Sequence, residues 1–324
     1  MISKFTDFGG WNKKILFLNF DISSVSEPGT EDEYAYGYAR TPGLFKKIGK
    51  QRGFKVDFRE YDEILIIDKD TLMVDDYPLD SYDFVVLGLM AKKSESANLI
   101  LDYLKQNDVP YFSYGTPSDK GNKLADMYNL LSNGLPYIPS FVTASPTIAA
   151  KYIQDNWDNQ YPVIIKELNS SQGDGVYKVE NKNELGGYFK KKDELHPGNT
   201  EQMRMLQRFI PNEGDYRVLL FNFNPIAIAR RWSKDKEKEF RNNLSKGGSG
   251  EVAELPQPVT QIAIDAAKAL GKYMAGVDLI QDSKTGKWYI MEVNSSPQYH
   301  YFSEISGLDF PNLLFDYITR KVLN

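Results

Sequence analysis

WYIMEVNSSP, from Trp288 to Pro297, reads as an apolar strand whose end presents a carboxylate, Glu292, and then an amide, Asn294. Side chains at i and i+2 of a strand point the same way, so the two share a face. Upstream, YMAGVDLI (Tyr273 to Ile280) is a second strand carrying one acid, Asp278, and DSKTGK (Asp282 to Lys287) joins the two as a hairpin. Pairing the strands brings Asp278 beside Glu292. An Asp, a Glu and an Asn around one point make a hard-oxygen site suited to Mg²⁺, which takes few carboxylates and shares its other positions with water and substrate phosphates. Any one of these residues alone would be an ordinary strand end or turn cap; the grouping carries the argument.

Length and composition narrow the chemistry. A chain of 324 residues exceeds one small core, so two or three lobes sharing a site are expected. A hydrophobic fraction of 41% and an aromatic fraction of 13% suffice to fill them. Net charge −5 and pI near 5.3 argue against general nucleic-acid binding, although Arg230 to Arg241 forms a local basic run. Zero cysteines exclude disulfides, thiolate catalysis and cysteine zinc sites. With two histidines, His196 and His300, a histidine triad or His-rich metal centre is disfavoured. No apolar run reaches membrane-spanning length and MISKFTDFGGWNKK lacks a signal-peptide core, so a cytoplasmic location without membrane partners is expected.

Along the chain, KILFLNF (14–20), 54–58, 84–89 and 110–114 read as strands, alternating with helices from Thr41 to Arg52 and Ser94 to Gln106. That alternation predicts an N-terminal α/β lobe with a mainly parallel sheet. Neither G-x-G-x-x-G nor G-x-x-x-x-G-K-[ST] occurs, which excludes those phosphate loops. Ser118 to Asn133 has helical spacing with Lys123 in its first turn, where a cation opposes the helix dipole and suggests an anionic partner. Val163–Ile165 is a strand ending at Lys166. Ser170, Ser171, Gln172, Gly173, Asp174 and Gly175 then form a small-residue loop able to lay backbone N–H groups over phosphates before strand 176–179. Segments 206–210, 215–223, 225–232 and 251–255 read as antiparallel strands, and 258–273 and 310–323 as packing helices.

Taken in order, the lysine at a helix start, the lysine before a small-residue hairpin, a hinge strand, D-x-R, FRNNLSKGG (240–248), GVDLI and MEVNSSP resemble the ATP-grasp superfamily. Within it the resemblance is to the RimK-like branch, which contains the ribosomal-protein glutamate ligase and related carboxylate–amine ligases. The match covers about Asp119 to the C-terminus; residues 1–118 share only the strand–helix pattern.

The resemblance implies an α/β (α+β) architecture: an N-terminal pre-ATP-grasp domain over 1–118, a central lobe with the phosphate loop over 119–205, and a metal-bearing lobe over 206–324. It implies that Lys123 and Lys166 hold nucleotide phosphates and that Ser170 to Gly175, including Ser171, Gln172 and Gly173, close over them. Gln207, Arg208 and Phe209 correspond to the hinge whose backbone pairs with adenine, and Asp215 to the residue reaching the ribose. Arg241 and Asn243 correspond to groups facing the phosphates and acyl-phosphate, and Asp278, Glu292 and Asn294 to ligands of Mg²⁺ or Mn²⁺. Arg217 and Arg230 or Arg231 are candidates for binding the carboxylate substrate. The implied reaction joins a carboxylate to the amine of an amino acid, peptide or protein at the expense of ATP; alternatives are a small-molecule ligase of the same fold and an inactive ATP-binding regulator. A homodimer is a family expectation. Two positions depart from the branch: Arg208 replaces the usual hinge Glu, and Gln298 replaces the Gly after the final Ser-Pro.

Overall fold

The computed structural model describes residues 13–20, 41–88, 94–114, 123–168, 175–195, 203–235, 240–242, 248–295, 297 and 299–323. The chain divides into two compact units, Met1–Lys120 with Lys272–Met274 and Gln298–Asn324, and Gly121–Gly271 with Ala275–Pro297.

In the first unit, β1 (Lys13–Leu18), α1 (Thr41–Gln51), β2 (Phe54–Arg59), β3 (Ile64–Asp68), β4 (Thr71–Val74), β5 (Tyr77–Pro78), β6 (Phe84–Leu87), α2 (Ser94–Gln106) and β7 (Tyr111–Ser113) follow in order. Strands β2-β1-β6-β7 form a parallel sheet, as the alternation of apolar strands and amphipathic helices requires. Ile15 to Leu18 and Phe84 to Leu87 are wholly buried, the mark of strands covered on both faces. Strands β3-β4-β5 make a separate antiparallel sheet with Leu65 and Ile67 exposed, and that mixed pattern explains why periodicity did not reveal it.

The second unit contains α3 (Lys123–Ser132), β8 (Ser140–Thr143), α4 (Pro146–Asn156), β9 (Val163–Glu167), β10 (Val176–Val179), α5 (Lys182–Leu195), β11 (Arg204–Arg208), β12 (Asp215–Phe221), β13 (Asn224–Trp232), β14 (Ser249–Val252), α6 (Gln257–Ala269), β15 (Met274–Gln281) and β16 (Trp288–Asn294). Sheet β10-β9-β11-β8 is antiparallel and is covered by α4 and α5 through Ala149, Ile153, Leu185 and Phe189. Sheet β14-β13-β12-β15-β16 buries Val218, Leu220, Val277, Leu279, Ile290 and Val293 with Val259, Ala263, Ala266 and Ala267 of α6. The strand expected at 206–210 lies at 204–208 and belongs to the first of these sheets, apart from β12. Helix α6 stops at Ala269, short of the expected Tyr273, because Gly271 turns the chain at φ 64°.

Two further helices, α7 (Tyr299–Ser306) and α8 (Phe310–Leu323), complete the first unit. Phe315 of α8 joins Phe17, Phe45 and Phe54 in an aromatic cluster, and Arg52 bridges to Asp316 at 2.5 Å and Asn312 at 2.7 Å. Among the described residues no helix is long and apolar enough to cross a membrane.

Candidate active site

Two hairpins in the second unit place the polar residues, and a β-bulge in each decides which side chains face the site. In β15–β16 Asp278 stands opposite Glu292 and Gly276 opposite Asn294, but beyond Asp278 the register shifts so that Leu279 pairs with Ile290. The extra residue, Met291, lets both Ile290 and Val293 enter the core while Glu292 and Asn294 point out on the opposite face. In β12–β13 a shift between Leu219 and Leu220 sets Asp215 against Arg231 and Tyr216 against Arg230. Residues Asp215 and Arg217 therefore share a face with Arg231, whereas Tyr216 belongs to the hydrophobic core side.

The result is a chain of alternating charges. Arg217 donates from Nε to Oδ1 of Asp278 at 2.6 Å and from Nη2 to Oδ2 at 2.7 Å, a bidentate fork. Arg231 approaches the same Oδ2 with Nη2 at 3.1 Å and holds Oδ1 of Asp215 through Nε at 2.7 Å and Nη2 at 2.6 Å. Asp215, Arg231 and Asp278 are all buried. Burial opposes the charge on Asp278, yet Arg217 and Arg231 together outweigh it and hold the carboxyl below its ordinary pKa. For Asp215 burial prevails, aided by Asp278, and pushes the pKa upward against the pull of Arg231.

Two glycines make this packing feasible. A Cβ on Gly276 would lie 2.9 Å from the Pro297 Cβ and 3.4 Å from the Arg217 Cδ, so the Gly of GVD leaves room for the arginine. Gly214, at φ 130°, lets the backbone pass where a Cβ would stand 2.5 Å from the Arg231 carbonyl oxygen.

Lys123 opens α3 and Lys166 lies on β9; both feel the same acid. Desolvation lowers the Lys166 pKa, with Glu292 and Asp278 opposing and Lys123 reinforcing the drop. Desolvation likewise lowers that of Lys123, against Glu292, Asp126 and Glu167. The linker after α3 explains the meeting: Ile290 N–H donates to the Pro136 carbonyl at 2.8 Å and Ile138 N–H to the Ile290 carbonyl at 3.2 Å, tying the entry to β8 onto β16. Ile138, Ile210 and Ile280 close a small apolar cluster at this junction.

The remaining expected residues fall as follows. Gln207 is buried and its Nε2 donates to Ser140 Oγ at 2.9 Å, so its side chain is engaged within the protein. Arg208 donates its N–H to the Pro139 carbonyl at 3.0 Å and Nη2 to Gln160 at 3.2 Å, and Lys178 stacks on the Phe209 ring at 4.9 Å. Arg230 instead donates to the Glu213 carbonyl at 3.1 Å, away from the Asp278 cluster. Arg241 lies over Phe240, beside buried Asn242, whose Oδ1 accepts from the Ser233 N–H. Gly175, at φ 67°, ends the small-residue loop. Ser170, Ser171, Gln172, Gly173, Asp174 and Asn243 lie outside the described residues.

Among the described residues no three His, Cys, Asp or Glu side chains converge, so a cation site here needs the amide oxygen of Asn294 beside Asp278 and Glu292. The donor set fits a hard divalent cation. A carboxylate offers about four lone-pair directions. On Asp278 the guanidiniums occupy Oδ2 twice and Oδ1 once, which leaves Oδ1 able to bind in monodentate fashion.

Residues 120–318 match the family model described as the RimK-like ATP-grasp domain, more than half of the chain. The chain belongs to this family. A probable alpha-L-glutamate ligase of Vibrio parahaemolyticus is 33% identical over 160 residues, 49% of this chain and 51% of that protein. The Haemophilus influenzae protein of the same name is 32% identical over 198 residues, 61% of this chain and 63% of its own. Thus the chain spans only about half to three-fifths of these curated relatives. The ATP-grasp fold itself extends further: the ligase PsnB, complexed with precursor peptide PsnA2 and AMPPNP, superposes with TM-score 0.67 at 16% identity, covering 96% of this chain and 98% of PsnB. An ATP-grasp RimK domain protein from Sphaerobacter thermophilus gives TM-score 0.59 at 14% identity over 94% and 99%.

Proposed function

We propose that this ATP-grasp chain is an ATP-dependent carboxylate–amine ligase acting on a peptide or protein acceptor. The observation that carries the reading is that Lys123 and Lys166 both lie in the field of Glu292, which stands opposite Asp278 in the β15–β16 ladder: cations for phosphates beside oxygen ligands for a metal. Family membership supports ATP as the nucleotide, and the complexes of PsnB with precursor peptide support a peptide acceptor.

A carboxylate becomes an acylating agent only when its oxygen is made a good leaving group. ATP supplies that group by phosphorylating the carboxylate; Asp278, Glu292 and Asn294 would hold a Mg²⁺ ion, which would supply positive charge to the phosphates. Phosphoryl transfer asks little covalent chemistry of the protein, mainly position and positive charge. Lys123, Lys166 and Arg241 are assigned to that charge, and the backbone of Gln207 to Phe209 to the adenine. Arg217 is assigned to orient the carboxylate substrate, with Arg230 as an outlying candidate, and Asn243 is assigned with Arg241 to the phosphates and acyl-phosphate. The loop from Ser170 to Gly175, with Ser171, Gln172 and Gly173, is assigned to exclude water from the acyl-phosphate. Attack by the amine forms the C–N bond and expels phosphate, so that ATP, carboxylate and amine give amide, ADP and phosphate. In this reading 1–118 is the N-terminal domain, 119–205 the phosphate-loop lobe and 206–324 the metal-bearing lobe.

The test is ADP release from Mg-ATP by the purified protein against pools of amino acids, dipeptides and peptides, with mass spectrometry of products. Pool-dependent ADP with a product one water lighter than its two parts is expected from a peptide pool. Turnover confined to single amino acids would shift the assignment to a small-molecule ligase. Nucleotide binding without turnover against any pool, protein acceptors included, would point to a regulator.

A further inference from the structure

We propose that the outer face of the three-stranded sheet β3-β4-β5 is a docking surface for a segment of the acceptor polypeptide that carries both basic and apolar side chains. The inference rests on the peptide or protein acceptor proposed above and concerns the first unit alone.

An antiparallel sheet with one wet face ordinarily alternates apolar residues inward with polar residues outward. Ile64, Leu72 and Val74 do point inward, into a core with Tyr61 and Leu79. The outward positions of β3, however, are apolar as well. Leu65 and Ile67 are each 59% exposed, and Leu65 stands opposite Met73, which in turn stands opposite exposed Pro78. Opposed residues of a ladder share a face, so Leu65, Met73 and Pro78 form an apolar row across the wet side, and Ile67 extends it along β3.

The edges of the sheet favour contact through this face. Strand β3 lies at one edge, but its register shifts between Ile66 and Asp68, leaving Ile67 as an extra residue with no partner in β4. Such a bulge blunts an edge against the addition of another strand. The opposite edge, β5, is a strand of two residues.

Charge selects the occupant. From Arg59 to Asp80 there are eight acids and two bases, a net −6, where the whole chain carries −5. Glu63, Asp68 and Asp76 are exposed at the strand ends, and both bases are already paired, Arg59 with Asp75 and Lys69 with Asp70. Tyr77, 56% exposed, holds the Lys14 ammonium 4.5 Å from its ring centre, so the sheet already seats one cation of this chain on an aromatic ring. A second copy would set net −6 against net −6, and like charge at that density opposes association. A segment with lysines or arginines beside aliphatic side chains complements both the apolar row and the acids around it.

The test measures binding of short fluorescent peptides to the full chain by anisotropy: one alternating lysine with leucine, one lysine with serine, and one glutamate with leucine. Only the first is expected to bind, and more weakly as salt rises. Leu65→Thr/Ile67→Thr keeps β-branched residues at exposed positions, so its melting is expected to match wild type while affinity falls on the order of tenfold. Asp68→Asn/Asp76→Asn is expected to lower affinity and flatten the salt dependence. Among peptide acceptors in the pool assay, those bearing lysine and leucine are expected to have the lower KM, a preference that Leu65→Thr/Ile67→Thr removes with kcat and the KM for ATP unchanged. Equal binding of the serine peptide, binding untouched by either variant, or no such preference among acceptors would overturn the proposal. So would a dimer that dissociates in sedimentation on Leu65→Thr/Ile67→Thr, since the face would then belong to a second copy. Absence of peptide turnover by the wild type, with the lysine–leucine peptide still bound through this face, would instead overturn the acceptor reading on which the proposal stands.

Discussion

Replacing Asp278 by Asn removes the one anion that two guanidiniums share. Arg217 donates to it at 2.6 and 2.7 Å with its own side chain only 14% exposed, and Arg231 adds a contact at 3.1 Å. Arg231 keeps Asp215 as counter-ion, so the uncompensated charge falls on Arg217. Breaking one side of a buried pair costs about 3–5 kcal/mol, because the remaining ion stays desolvated. The amide oxygen of Asn still accepts one bond, which places the expected loss at the lower end, about 3 kcal/mol. For a unit of this size that corresponds to a fall in Tm on the order of 6–12 °C. The assay is urea and thermal unfolding followed by circular dichroism without ligand, with Asp278→Asn/Arg217→Met alongside. The double variant, lacking the orphaned arginine, is expected to regain part of the stability. A single variant as stable as wild type would refute the argument that this cluster is a tightly held, desolvated ion network.

Glu292→Gln is expected to abolish turnover and leave a protein of near wild-type Tm, since it removes one metal charge at almost constant volume; retained activity would defeat the metal assignment. Lys166 binds its proton less tightly folded than unfolded, so between its lowered pKa and the ordinary 10.5 the unfolded chain holds more protons and stability rises with pH. Lys166→Met is expected to flatten that alkaline rise and to remove the melting shift produced by ATP analogues, read from denaturation curves at several pH values. Gly276→Ala must displace Pro297 or Arg217 and is expected to cost about 1–3 kcal/mol together with activity, measured by unfolding and ADP release.

Much of the fold was legible because its signals are local. Apolar runs such as ILFL and FVVL can only be covered strands, and α2 and α8 carry amphipathic patterns that gave their bounds as observed. The pairing of Asp278 with Glu292 was also readable, since a short hairpin joins the two strands. The choice between Arg230 and Arg231 was not. Counting back from the tight turn at Asn222 and Phe223 pairs Asp215 with Arg230, and the bulge after Leu219 moves the partner by one residue. Pro225, with no N–H to give a ladder, signals an irregularity there but not which residue is extra. The burial of Asp215 was hidden for the same reason: D-x-R read alone is an exposed polar strand, and only register shows that a guanidinium covers it. Strands β3 to β5 were missed because they are short and their apolar residues do not alternate cleanly.

The measurement that bears most directly on the chemistry is isotope transfer from an ¹⁸O-labelled carboxylate substrate, once the pool assay has named it. Formation of an acyl-phosphate moves one carboxylate oxygen into the leaving group, so the phosphate released with ADP is expected to carry ¹⁸O. Label appearing in AMP, or unlabelled phosphate accompanying product formation, would contradict activation by phosphoryl transfer at this site.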